Sequence, residues 1–197
     1  MEMYSEEKRD EEKRDPLFPP SAMAKLFASR TVLLFGEITT ALAERVGAQL
    51  LALAAEGSEP IRMLVHSPGG HVESGDSIHD IIRFIEPEVR MIGTGWVASA
   101  GAAVFVAAKP ACRFALPNTR FLLHQPLGGV GGAASDIEIE TRQILAVRER
   151  MNRIFARETK QPYEKIVADT QRNFWMNATE ARDYGLIARI IERHTDA

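Results

Sequence analysis

Two stretches of this chain carry residue types that can do chemistry together. The first is Gly95-Trp-Val-Ala-Ser99-Ala-Gly101, one hydroxyl among small residues between two apolar runs, Val89–Ile92 and Gly101–Ala108. That pattern is how a strand hands over to a buried helix, with Ser99 at the helix N-terminus. Unpaired backbone N–H groups and the positive dipole end favour developing negative charge there. The second stretch, Phe121-Leu-Leu-His124-Gln-Pro-Leu-Gly-Gly129, sets an imidazole at the end of an apolar strand. The Pro/Gly loop that follows leaves it accessible. A hydroxyl nucleophile needs a base, and the base needs an orienting group. Ser99 and His124 supply two of the three parts. On its own, a serine flanked by alanines is usually a small residue that lets a helix pack closely.

Four other histidines compete for the same role. His79 falls on a predicted helix and His194 in the C-terminal end, whereas His66 ends a strand and His71 follows two glycines. No pair has metal-site spacing with further ligands nearby, so neither a metal nor another cofactor is expected. Lys109 sits in a Lys-Pro turn, which disfavours a Ser-Lys dyad.

These groups must be positioned by alternating elements. Apolar strands are predicted over 31–35, 61–66, 89–92, 113–116, 120–124 and 187–191, with helices over 39–56, 74–85 and 99–108 between them. Leu42, Val46, Leu50 and Leu53 share one helical face, and Gly57 is the expected stop. Asn177 with Glu180 three residues later reads as a capping box, and Tyr184-Gly185 as a helix end. Short strands alternating with helices imply a layered α/β fold with a largely parallel sheet. The longest periodic segment is 135–159, where Ile137, Ile144, Val147, Met151 and Ile154 recur at helical steps. Such a helix spans about 36 Å.

With 197 residues, 45% hydrophobic and 26% charged, the chain suits one core and leaves no room for two. The expected organisation is a charged, Pro-rich and disordered extension over 1–20, then a single domain over 21–197. A net charge of −3 argues against general nucleic-acid binding, and the dense run Glu6–Asp15 mixes both signs. The lone Cys112 excludes an internal disulfide and fits a reducing cytoplasm as a small buried hydrophobe. No secretory signal or membrane span is read, so the expectation is a cytoplasmic protein without a membrane partner.

Ser67-Pro-Gly-Gly70, the elbow around Ser99, His124–Gly129, Ser135-Asp-Ile-Glu-Ile-Glu140 and Phe174–Leu186 together resemble the proteolytic subunit of the Clp (caseinolytic) protease family. The resemblance runs from Thr31 to Ile191. It implies a crotonase-like ββα-superhelix head with a protruding handle helix over 135–159, preceded by the glycine hinge Gly128–Gly132. It also implies Ser99 as nucleophile, His124 as base and, at the family's aspartate position, Asn173. The backbone N–H groups of Gly70 and Ala100 would hold the oxyanion. Gly69, His71 and Val72 on one side and Leu127, Gly128 and Gly129 on the other would sandwich an extended peptide.

Three departures qualify that inheritance. Asn173 carries no charge to stabilise an imidazolium, with Asp169 the only substitute acid nearby. Gln171 replaces an acid that in the family helps pair rings. Glu6–Asp15 and Pro16–Pro20 stand where the family has its pore segment. The function the resemblance implies is an ATP-dependent Clp-type serine endopeptidase subunit. It would cleave unfolded polypeptide inside stacked heptameric rings, made with itself or a paralogue and served by an AAA+ unfoldase. The alternative is a weakly active or structural subunit that needs a catalytically stronger paralogue. A crotonase-type acyl-CoA enzyme is a third reading, with Glu73 as its only nearby carboxylate.

Overall fold

The computed structural model describes residues 19–196, so the charge run Glu6–Asp15 lies outside the described residues. The chain runs α1 (Pro20–Ala28), β1 (Thr31–Phe35), α2 (Thr40–Glu56), β2 (Ile61–Ser67), α3 (Val72–Phe84), β3 (Val89–Ala98) and α4 (Ala100–Phe105). Then follow β4 (Arg113–Ala115), β5 (Arg120–Leu123), α5 (Ala134–Thr159), α6 (Tyr163–Asp169), β6 (Phe174–Asn177), α7 (Ala178–Tyr184) and β7 (Arg189–Ile190). Helix α1 was not expected. It begins with Pro20 in its first turn, where a missing N–H is no loss.

Strands β1-β2-β3-β4-β7 lie in that order, all parallel. The 89–92 strand proves longer than predicted, because β3 runs on through a bulge opposite Val65–Ser67. Its first part, Met91–Gly93, pairs with β4, and its last part, Trp96–Ala98, pairs with β5. The sheet therefore forks. Gly95 sits at the fork with φ +58°, and a side chain there would meet the His66 ring at 2.3 Å. Beyond β5 lies β6, antiparallel and with no other strand partner among the described residues.

Strand alternation builds the core. Ile61, Met63, Val65 and Ser67 face inward on β2, with Phe121 and Leu123 on β5, beneath α2, α3 and the wholly buried α4. Leu42, Val46, Leu50 and Leu53 pack from α2 as their spacing predicted, below the Thr39 N-cap. Gly57 ends that helix in an extended rather than a left-handed conformation. The predicted 99–108 helix is shorter, Ala100–Phe105, and Cys112 is buried in a 3₁₀ turn. The Asn177–Glu180 capping box and the Gly185 left-handed cap are both present.

Helix α5 is two-sided in its burial. Residues 134–150 are mostly exposed, including Ile139 and Leu145, whereas Met151 and Phe155 enter the core. Its base is fastened by a buried ion pair that sequence reading missed. Arg113, fully buried on β4, binds the Glu158 carboxylate and donates to the carbonyls of Val106 (2.8 Å), Ala108 (2.6 Å) and Glu158 (3.0 Å). Burial alone would raise the Glu158 carboxyl, but hydrogen bonds and charge from Arg157 and Arg113 hold it below the usual range.

Removing one partner of a buried pair strands the other charge, so Glu158→Leu is expected to cost about 3–5 kcal/mol in chemical denaturation. A depressed folded pKa stabilises only above the unfolded carboxylate value of about 4.3. The wild type should therefore lose part of that stability as pH falls below it, and Glu158→Leu should show a flatter acid limb.

Candidate active site

Ser99 follows β3 directly and caps α4 from a backbone conformation that side chains rarely adopt, φ 55° and ψ −124°. Only three non-glycine residues among those described have positive φ. Such strain costs on the order of 1–3 kcal/mol and persists only where its surroundings enforce it. Here the enforcement is visible. Ser99 N–H donates to Leu122 O at 2.9 Å, extending the β3–β5 ladder by one residue. On the other side the Ser67–Gly70 turn presses against the serine. A methyl group on Gly69 would lie 2.6 Å from Ser99 Cβ and 3.1 Å from its Oγ, so only a bare backbone fits.

The turn is held by its own contacts. Gly69 N–H donates to the buried Ser67 Oγ (3.1 Å), Ile38 N–H to Gly69 O (2.8 Å), and His71 N–H to Ile38 O (2.8 Å). Gly69 and Gly70 have φ of +98° and +140°. The N–H groups of Gly70 and Ala100 donate to no other group among the described residues. Two free donors beside a hydroxyl can together bind an oxyanion. Of the residues expected along one side of the peptide, Val72 already opens α3, so the extended stretch ends at His71. Leu127, Gly128 and Gly129 are exposed and belong to no strand.

His124 is the first residue after β5, half-buried. The β5–β6 register ends with Leu123 paired to Phe174, so His124 and Asn173 are the two residues that leave this last pair. The connecting loop is tied down beside it: Gln125 N–H donates to Thr170 O (2.7 Å) and Gln125 Nε2 to Gln171 O (2.9 Å). Thr170, buried, donates in turn to Asn152 Oδ1 on α5 at 3.0 Å. No sequence pattern announced Gln125, Thr170 and Asn152 as supports, since their partners are distant in the chain. Among the described residues no hydrogen bond yet joins the side chains of Ser99, His124 and Asn173, and Asn173 is exposed.

The rivals are occupied elsewhere. Asp169 accepts from Lys165 Nζ (2.6 Å) and Tyr184 Oη (2.7 Å). His71 Nδ1 lies 2.8 Å from Ser74 Oγ and its Nε2 3.2 Å from Glu73. Buried His79 donates to Ala103 O, and His66 sits at the β2–β3 bulge 3.2 Å from Thr94 O.

This combination of a forked parallel sheet, a strained serine and a glycine turn against it matches a known pattern along nearly the whole chain. The sequence model of the family described as Clp protease matches residues 20–194. The chain belongs to the Clp protease family. It is 56% identical over 194 residues to the ATP-dependent Clp protease proteolytic subunit 3 of Rhizobium etli, covering 98% of this chain and 100% of that one. To proteolytic subunit 2 of Gluconobacter oxydans it is 58% identical over 174 residues, covering 87% and 78%. Among solved structures, an asparagine-to-aspartate mutant of ClpP1 from Listeria monocytogenes superposes with a TM-score of 0.83 at 49% identity, covering 88% of this chain and 98% of that one.

In this Clp family member the half-buried imidazole of His124 is tuned by its surroundings. Loss of water around the ring pushes His124 below its ordinary value of 6.5. A base must be neutral, so hydrolysis should rise with pH through a midpoint below 6.5 and be flat above it; the kcat/KM profile of a short peptide tests this. Gly69→Ala, strained at φ +98° and in collision with Ser99, should abolish labelling of Ser99 by a fluorophosphonate.

Proposed function

We propose that this chain is the proteolytic subunit of a Clp-type protease and a serine endopeptidase in its own right. The observation that carries the reading is Ser99, held in a strained elbow against the Gly69 backbone at the end of the strand that neighbours His124. Ser99 Oγ attacks the scissile carbonyl while His124 takes its proton and passes it to the leaving amine. The oxyanion forms between the N–H groups of Gly70 and Ala100. Water then attacks the acyl-enzyme with His124 again as base. Asn173 accepts from the second ring N–H of His124 and fixes its tautomer, without a charge to stabilise the imidazolium. The substrate is extended polypeptide added between Gly69–His71 and Leu127–Gly129, recognised mainly through its backbone.

The exposed half of α5, with Ile137, Ile139 and Leu145 open, supports a handle that meets a second ring of this chain or of a paralogue. The names of the relatives, which include "ATP-dependent", support a cytoplasmic assembly fed by an AAA+ unfoldase. No described helix is long and apolar enough to cross a membrane. The second reading, a weakly active subunit that relies on a stronger paralogue, is favoured by one observation: Asn173 is neutral, exposed and not bonded to His124.

Hydrolysis of a short fluorogenic peptide by the purified protein separates the two, beside Ser99→Ala and Asn173→Asp. A peptidase loses activity in Ser99→Ala, and Asn173→Asp should gain about tenfold or more; in the trypsin-type triad the Asp-to-Asn change costs roughly 10⁴ in turnover, there largely through the wrong tautomer. Native mass on the same sample should be many times 21.9 kDa. An assembled protein inert to peptide and to fluorophosphonate would favour the second reading.

A further inference from the structure

The chain has two tryptophans, and they stack on each other. Trp96 on β3 and Trp175 on β6 lie with ring centroids 6.2 Å apart and planes 5° from parallel. The Arg120 guanidinium of β5 sits 4.3 Å over the Trp175 ring. The three residues come from three different strands. Each of those strands leads to one proposed triad member: Ser99 lies three residues beyond Trp96, His124 four beyond Arg120, and Asn173 two before Trp175.

The registers show what the stack spans. On the sheet face away from the helices, Ala98 and Trp175 are both paired with Leu122, and Trp96 with Arg120. Leu122 is only 8% exposed although it points away from the main core, with Ala98 and Trp175 as its neighbours across the strands. The carbonyl of that same Leu122 accepts the Ser99 N–H. Strand β6 has four residues and pairs with β5 alone among the described strands, so its ladder is a weak hold on Asn173. On the far side of Asn173, Gln125 fastens the loop through Thr170 and Gln171; on the near side Phe174 and Met176 pack into the core on one face of β6, and this stack ties its other face to β3 and β5.

We propose that Trp96, Arg120 and Trp175 form a clasp that positions the triad by locking β3, β5 and β6 together. They are positioning residues, since none reaches the reacting atoms. The proposal rests on the catalytic reading above. A neutral Asn173 attracts an imidazolium weakly, so alignment has to come from the strands, and the clasp joins all three of them two to four residues from the site. Stacking and cation–π contact hold planar groups in a defined orientation.

The test uses the full-length protein with Trp96→Ala, Trp96→Phe and Arg120→Gln. The readouts are the rate of fluorophosphonate labelling of Ser99, kcat and KM for a short peptide, native mass, and the near-ultraviolet circular dichroism of the coupled indoles. Trp96→Ala is expected to lose the indole coupling and to slow labelling and kcat at least about fivefold, with KM within twofold and native mass unchanged. Trp96→Phe should restore most of the rate. Arg120→Gln keeps both indoles, so it reports even if Trp96→Ala folds poorly, and its rate should fall about twofold or more. Unchanged labelling with the indole coupling lost would overturn the clasp. So would a rate that falls only together with native mass, which would make this face a subunit contact instead. A wild type that fluorophosphonate does not label would overturn the catalytic reading itself, and the positioning role with it.

Discussion

The site depends on the fork in β3. A parallel strand that kept one partner along each edge could not deliver Ser99 beside His124, because β4 and β5 need the same edge of β3. The bulge opposite Val65–Ser67 and the positive φ of Gly95 let the strand serve β4 with Met91–Gly93 and β5 with Trp96–Ala98. The three proposed triad residues lie along the β5 branch. Ser99 continues the ladder to Leu122, and β5 ends one residue before His124. β6 then begins one residue after Asn173.

Electrostatics and geometry divide the work unevenly here. Burial lowers the affinity of His124 for a proton, while Asn173 offers an amide dipole rather than a charge. The proposed triad gains little from attraction between its members and more from how closely its strands are held. Close holding is what the fold supplies on every side of the serine: Gly69 backbone below, the β5 ladder beside it, and α4 beginning at Ala100.

The handle and the head are joined by polar contacts buried at the base of α5. Arg113 and Glu158 tie the last turn of the helix to β4 and to the end of α4, and Asn152 reaches Thr170 in the loop before Asn173. The outer half of the helix is held more lightly, by Arg150 on Asp76 of α3 and by Val147 against the core. Its exposed apolar residues are what a surface awaiting a partner looks like.

The alternation of apolar strands and helices, the Asn177 cap and the buried face of α2 were legible in the sequence. Each follows from a period of two or 3.6 residues, or from local hydrogen bonding. The turn at Ser67–Gly70 and the strand-to-helix step at Ser99 were legible too, since small residues and glycines mark both. The family resemblance carried the handle and Asn173. The early strand limit at Ile92 was misjudged because Thr94-Gly95 reads as a break, whereas the tertiary structure uses it as a fork. The burial of Arg113, the capture of Asp169 by Lys165 and Tyr184, and the stacking of Trp96 on Trp175 were decided only in three dimensions. Their partners stand far apart along the chain, and local pattern holds no information about which strand becomes whose neighbour.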